Sequence, residues 1–184
     1  MGKIILIGES RFMRLLGEAI DESSRYSSCG FEMLVGIPGS GKSTYLRGVN
    51  SGNVVVVCPD DIRRELTGDV SNQSMNREVW ELAERLIMEY LSRGRYVILD
   101  ATNVNTAMRN RLVGKVREFN PGIPTYATMF DADPEVSKER ISRDIANGVD
   151  RAKVPPEVID RMYGMYQDTA KVIGDEGFTG IYRR

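Results

Sequence analysis

The chain contains no histidine, which excludes imidazole acid–base catalysis and His-ligated metal sites and leaves carboxylates to move protons near neutral pH. Its two cysteines, Cys29 and Cys58, match no zinc-ligand spacing. No apolar run approaches the roughly 20 residues needed to cross a bilayer, and the first residues lack the pattern of a secretory leader. These absences predict a soluble cytoplasmic protein with reduced thiols and no membrane partner. The N-K-x-D motif of guanine recognition is also missing, which argues against a GTPase. A formal net charge of −1 permits a nucleic-acid ligand without announcing one, and the sequence leaves the oligomeric state open.

With 41% hydrophobic side chains over 184 residues, the chain can bury one sizeable core. Short β-branched or apolar runs at 3–7, 31–35, 53–57, 95–99 and 125–130 alternate with helical periodicity. Val79, Leu82, Ala83, Leu86, Ile87, Tyr90 and Leu91 share one face of a helix that stops at Gly94. Further helices are expected over 106–119, over 134–147 with Asp133 as N-cap and Pro134 at the first position, and from Pro155-Pro156 to about 173. The alternation predicts an α/β fold with a parallel sheet and crossover helices. Residues 1–30 read as an N-terminal extension: the run at 3–7, an apolar face of Phe12, Leu15, Leu16, Ala19 and Ile20, then a solvated loop over 21–28.

Gly36-Ile-Pro-Gly-Ser-Gly-Lys-Ser-Thr44 fits the phosphate-binding pattern G-x-x-x-x-G-K-[ST] and lies between a strand and a helix. Gly39 and Gly41 let successive N–H groups turn inward around phosphate oxygens, and the helix that follows presents its positive end to the anion. Gly36, Gly39, Ser40, Gly41, Lys42, Ser43 and Thr44 are therefore the nucleotide-binding candidates. Lys42 supplies a cation, and Ser43 supplies a hydroxyl for Mg²⁺ beside ATP or another nucleoside triphosphate.

Three more stretches end at the same sheet edge or reach toward it. In Cys58-Pro-Asp-Asp-Ile-Arg-Arg64, after a Val-rich strand, Asp60 and Arg63 share a helix face if a helix begins at Asp60. The carboxylate is placed to accept a hydroxyl proton while one of Arg63 and Arg64, three and four residues on, grips a phosphate of the same substrate; the alternatives are that Asp60 only caps the helix and Arg63 makes a surface ion pair. In Val97-Ile-Leu-Asp-Ala-Thr-Asn103, Asp100 is a candidate for the Mg²⁺ shell, and Thr102 and Asn103 are candidate donors to a substrate. The run over 137–153 carries Arg140, Arg143, Arg151 and Lys153 around Gly148 and reads as a basic lid able to close over a nucleotide.

Taken in order, these stretches resemble the phage polynucleotide kinase branch of the P-loop kinases. The resemblance rests on 36–44, Asp60-Asp-Ile-Arg63, Asp100-Ala-Thr-Asn103, Arg143-Asp-x-x-Asn-Gly148 and Val154-Pro-x-x-Val-Ile-Asp-Arg-Met-Tyr163, and it covers about residues 31 to 173. It implies a P-loop kinase-like parallel sheet of about five strands with helices on both faces. It also implies ATP-dependent phosphorylation of a polynucleotide 5′-hydroxyl, with Asp60 as general base, Arg63 on the acceptor's phosphate and Thr102 positioning that phosphate. Two positions depart from the family pattern. Asn147 stands where the family has a lid arginine, so that role passes to Arg151 or, failing it, Arg143; and Ala101 replaces an aspartate, so Asp100 takes a related but shifted place. Other P-loop kinases share the Asp-x-x-Arg element, so a hydroxymethylated base in phage DNA, a nucleoside or a nucleotide sugar remains open as acceptor. A non-catalytic nucleotide switch is the alternative of another class.

Overall fold

A computed structural model describes residues 24–184. The strand expected at 3–7 and the amphipathic stretch through Ile20 lie outside the described residues. The elements run β1 (Gly30–Val35), α1 (Lys42–Gly48), β2 (Val54–Val57), α2 (Pro59–Thr67), α3 (Asn76–Ser92), β3 (Tyr96–Leu99), α4 (Thr106–Phe119), β4 (Thr125–Met129), α5 (Pro134–Ala146), α6 (Pro156–Val172), a 3-10 turn (Ile173–Asp175) and β5 (Gly180–Arg183). The five strands form one parallel sheet in the order β2-β3-β1-β4-β5, an α/β fold of the P-loop kinase kind. Strand β1 is central and wholly buried. Its neighbours β3 and β4 lie on opposite sides, so the order reverses at the end of β1, where open α/β sheets bind their ligands.

Side-chain alternation along the strands divides the core into two layers. Phe31, Met33, Val35, Val97, Leu99, Ala127 and Met129 face one way, against α3 through Val79, Ala83, Ile87 and Leu91 and against α4 through Leu112, Val113 and Val116. Leu34, Tyr96, Ile98 and Phe130 face the other, against Tyr45 and Leu46 of α1. Each such fully buried side chain contributes roughly 1.5–3 kcal/mol, so the sheet is a rigid platform for the loops at its upper edge. Helix α5 starts as its sequence dictates: the Asp133 side chain accepts from the N–H groups of Glu135 and Val136, and Pro134 takes the first turn.

The expected solvated loop over 21–28 is corrected at its described end. Arg25 and Tyr26 are buried, because β1 carries a fully buried acid, Glu32, that needs a counter-ion. Glu32 lies 3.4 Å from the Arg25 guanidinium and accepts hydrogen bonds from the hydroxyls of Tyr96 (2.8 Å), Thr128 (2.6 Å) and Tyr45 (3.1 Å). Burial, with the Glu32 charge beside them, pushes the Tyr45 and Tyr96 phenols upward, which keeps both as donors. The Arg25 guanidinium also sits 4.2 Å from the centre of the Tyr182 ring, linking the segment before β1 to the edge strand β5. Arg25→Ala is expected to cost about 3 kcal/mol, the lower end for breaking a buried ion pair because three hydroxyls still solvate Glu32. Urea unfolding checks this, and adding Glu32→Gln to that variant should restore part of the loss.

Candidate active site

The glycines of the loop after β1 are there for backbone reasons. Gly41 caps α1 with φ of 107°, and Gly39 has φ of 79°, a region that costs side-chain-bearing residues strain. A Cβ on Gly39 would also lie 2.9 Å from the Ser137 carbonyl oxygen, so the loop packs directly on α5. Lys42 is buried, and its ammonium donates to the carbonyls of Gly36 (2.8 Å) and Ile37 (2.9 Å). Burial pushes its pKa down to about 8; the nearby Asp100 and Asp60 carboxylates pull it back up, while the Arg151 guanidinium pushes it further down. Four of the predicted site residues thus converge electrostatically on one point. Ser43 and Thr44 are exposed at the start of α1.

Asp100 follows β3, with its N–H donating to the Val57 carbonyl of β2 at 2.9 Å. Burial pushes its carboxyl upward, Lys42 opposes this, and Asp60 and Asp61 add to it. A cation beside it would relieve that cost. Among the described residues, no group of three or more His, Cys, Asp or Glu side chains is placed to hold a metal by itself. Mg²⁺ fits such a site, since it takes one or two protein ligands and completes its shell with water and substrate phosphates.

Helix α2 begins one residue earlier than expected, with Cys58 at the N-cap and Pro59 in the first turn. Asp60 therefore does not cap the helix. It is exposed, with 56% of its side chain accessible, and pairs with the guanidinium of Arg63, whose side chain is only 6% accessible. Arg63 in turn donates from Nη2 to Asn76 Oδ1 on α3 at 3.1 Å. The alternative of a surface ion pair is thus met in part, with the carboxylate exposed and the guanidinium buried.

The loop after β3 is braced from below. The fully buried Arg109 of α4 pairs with Glu176 and donates to the Asn103 carbonyl at 2.7 Å. Asn103 adopts φ of 48°, a conformation that Asn tolerates better than most residues. Its amide donates to the carbonyls of Leu34 (2.8 Å), Leu99 (3.3 Å) and Ala101 (3.4 Å). The donor role expected of Asn103 does not fit this arrangement; the amide ties β1 to β3 instead. The carbonyl of Thr102 accepts from the Gly36 N–H at 3.0 Å, fastening this loop to the phosphate-binding loop.

In the basic segment, Arg151 is partly buried and pairs with Asp144 of α5, while Asp150 binds Arg64 of α2 at 2.8 Å. Arg143 is exposed. The α5 arginine that reaches the loop is Arg140, which donates to the Gly39 carbonyl at 3.1 Å. The sequence places Arg140 in the basic run without naming a partner for it, and no motif marks Asn76. Ser40 Oγ, Arg63 Nε, Asn103 Oδ1 and Arg151 Nε are among the buried polar atoms with no protein partner.

The AAA domain family matches residues 32–168, a span that holds the loop, Asp60, Arg63, Asp100 and Arg151. The chain belongs to this family. Membership carries nucleotide binding with it, and the expected likeness to polynucleotide kinases is met among solved structures. A chain of the Pnkp1/Rnl/Hen1 RNA repair complex is 23% identical over 78% of this chain and 46% of its own, with a TM-score of 0.64. A second structure of the Pnkp1/Rnl/Hen1 complex gives 28% identity over 61% of this chain and 39% of its own, at 0.55. The chain thus spans less than half the length of either. A structure of the PezAT chromosomal toxin-antitoxin system of Streptococcus pneumoniae is 17% identical over 98% of this chain and 80% of its own, at 0.62. No curated protein matches the chain. No helix among the described residues is long and apolar enough to cross a membrane.

Proposed function

We propose that the chain transfers the γ-phosphoryl group of ATP to the 5′-hydroxyl of a polynucleotide, with Asp60 as general base. The observation that carries this reading is the exposed Asp60 carboxylate, held by the buried Arg63 and close enough to Lys42 to act on its protonation. The similarity to chains of RNA repair complexes supports a nucleic-acid acceptor.

The loop amides and Lys42 hold the β- and γ-phosphates, which requires the ammonium to leave the Gly36 and Ile37 carbonyls. Mg²⁺ would be held by Ser43 and Asp100 and would supply positive charge to the bound phosphates. Asp60 takes the acceptor's hydroxyl proton while the acceptor oxygen forms its bond to the γ-phosphorus. The bond from the γ-phosphorus to the β,γ-bridging oxygen breaks in line, and ADP leaves. Arg63 and Thr102 position the acceptor, and Arg151 stabilises charge on the equatorial oxygens.

Label transfer from [γ-³²P]ATP tests the reading, with 5′-hydroxyl DNA and RNA, hydroxymethyluracil DNA, nucleosides, a nucleotide sugar and no acceptor compared side by side. Label on the oligonucleotides is the expected result; label only on another acceptor overturns the polynucleotide assignment. Arg151→Ala is expected to lower kcat roughly 10²-fold with a smaller rise in KM for ATP, because a contact made in the transition state shows mainly in turnover. Arg151→Lys should recover part of the loss, since a point charge lacks the planar fork. The same kinetics on Arg143→Ala decide between the two arginines.

A further inference from the structure

A cavity of about 190 Å³ opens beside the acceptor machinery, with Thr102 in its lining next to a largely apolar wall. Trp80 of α3, Met108 of α4, and Met162 and Met165 of α6 form an apolar wall, with Asn103 in the lining and Arg161 at the exposed rim. Two connections fix this cavity relative to the chemistry. Trp80 stands one helical turn after Asn76, which binds the Arg63 guanidinium that clamps Asp60. Asn103 follows Thr102, whose carbonyl is hydrogen-bonded to Gly36 of the phosphate-binding loop. The cavity is therefore tied through neighbouring residues both to the Asp60–Arg63 pair and to the phosphate-binding loop.

The chemistry of the lining specifies a flat, apolar-faced ring with polar edges. An indole gives a stacking surface, and three thioether side chains adapt around a planar ligand. Asn103 Oδ1 is a buried acceptor with no protein partner, and every nucleobase carries an N–H able to meet it, so the pocket accepts a base without choosing its identity. A nucleobase combines a planar π-face for the indole with an edge N–H for Asn103 Oδ1, which neither a sugar nor an aliphatic side chain does.

Resting on the acceptor reading above, we infer that this cavity holds the base of the nucleotide whose 5′-hydroxyl is phosphorylated, with Trp80 as its stacking platform. Trp80 is a positioning residue: it touches the substrate away from the reacting atoms. Arg161 at the rim is then placed for the phosphate on the 3′ side of that nucleotide.

Wild-type protein provides the first test, comparing an oligonucleotide that carries a normal 5′-terminal base with one whose terminal base is missing. The abasic end should show a KM higher by roughly 5- to 150-fold, the range for loss of one base stack, with KM for ATP unchanged. Trp80→Ala should raise KM for the normal end by a similar factor and leave the abasic end unaffected, and Trp80→Phe should retain most of the affinity. Because Trp80 is the only tryptophan, its emission should also be quenched by a 5′-hydroxyl dinucleotide. Equal use of both ends by the wild type, or unchanged emission at saturating acceptor, overturns the pocket assignment while leaving the kinase reading intact. Failure to phosphorylate either end overturns the acceptor reading, and the pocket assignment with it.

Discussion

Asp60→Asn is expected to lower phosphoryl transfer by roughly 10² to 10⁴ while ATP binding stays close to wild type. The substitution keeps the shape of the side chain and an oxygen able to accept from Arg63, but an amide cannot take a proton at neutral pH. Cys58, not Asp60, occupies the N-cap of α2, so the helix loses no cap. The structural cost falls instead on Arg63, which is buried and would keep Asn76 as a neutral partner. A modest fall in melting temperature therefore accompanies the kinetic loss. Single-turnover transfer separates the two effects, and a variant that melts early but still transfers at the wild-type rate would assign Asp60 a purely structural role.

Lys42→Ala should reduce transfer by at least about two orders of magnitude with the fold preserved, because the buried ammonium supplies charge beside the phosphate-binding loop that alanine cannot. The wild-type residue also predicts a pH signature. Its free-state pKa is pushed down to about 8 by burial, and bound phosphates favour the charged form and raise it. Between the free and bound values, binding takes up a proton. ATP affinity should be flat below pH 8 and fall by up to tenfold per unit above it. Calorimetry in buffers of different ionisation enthalpy would detect that proton uptake, and in Lys42→Ala both the uptake and the slope should vanish. A slope that survives the substitution would place the titrating group elsewhere.

Much of this architecture is readable from the chain because each core strand is a short β-branched or apolar run and each helix carries its own stop signals. Val79, Ala83, Ile87 and Leu91 recur at helical spacing, and that same set is the buried face of α3. Strand β5 escaped notice because Gly180-Ile-Tyr-Arg183 is a short edge strand, half exposed, with no apolar run to mark it. The burial of Arg25 was foreshadowed by Glu32, an acid set between Phe31 and Met33 in an otherwise apolar strand, which requires a partner that spacing alone does not name. Within the site, Gly36 to Ser43 follow from backbone and charge requirements that act locally. The pairing of Arg63 with Asn76, the reach of Arg140 to Gly39 and the opening beside Trp80 depend on how separate helices meet, which periodicity does not encode. The residue type of Asn103 suits both a substrate contact and a loop brace, and only the fold shows its amide N–H groups bracing the loop at φ of 48°.

The most direct measurement of the central claim is the position of the transferred group. A 5′-hydroxyl oligonucleotide labelled with [γ-³²P]ATP by the wild-type protein is digested to nucleoside 5′-monophosphates, and the label is located. Recovery of ³²P in the 5′-monophosphate of the terminal nucleotide, with at most about one hundredth as much in the Asp60→Asn reaction at equal time, is the predicted result. Label in a base-linked phosphate, or only as inorganic phosphate from ATP, would contradict it.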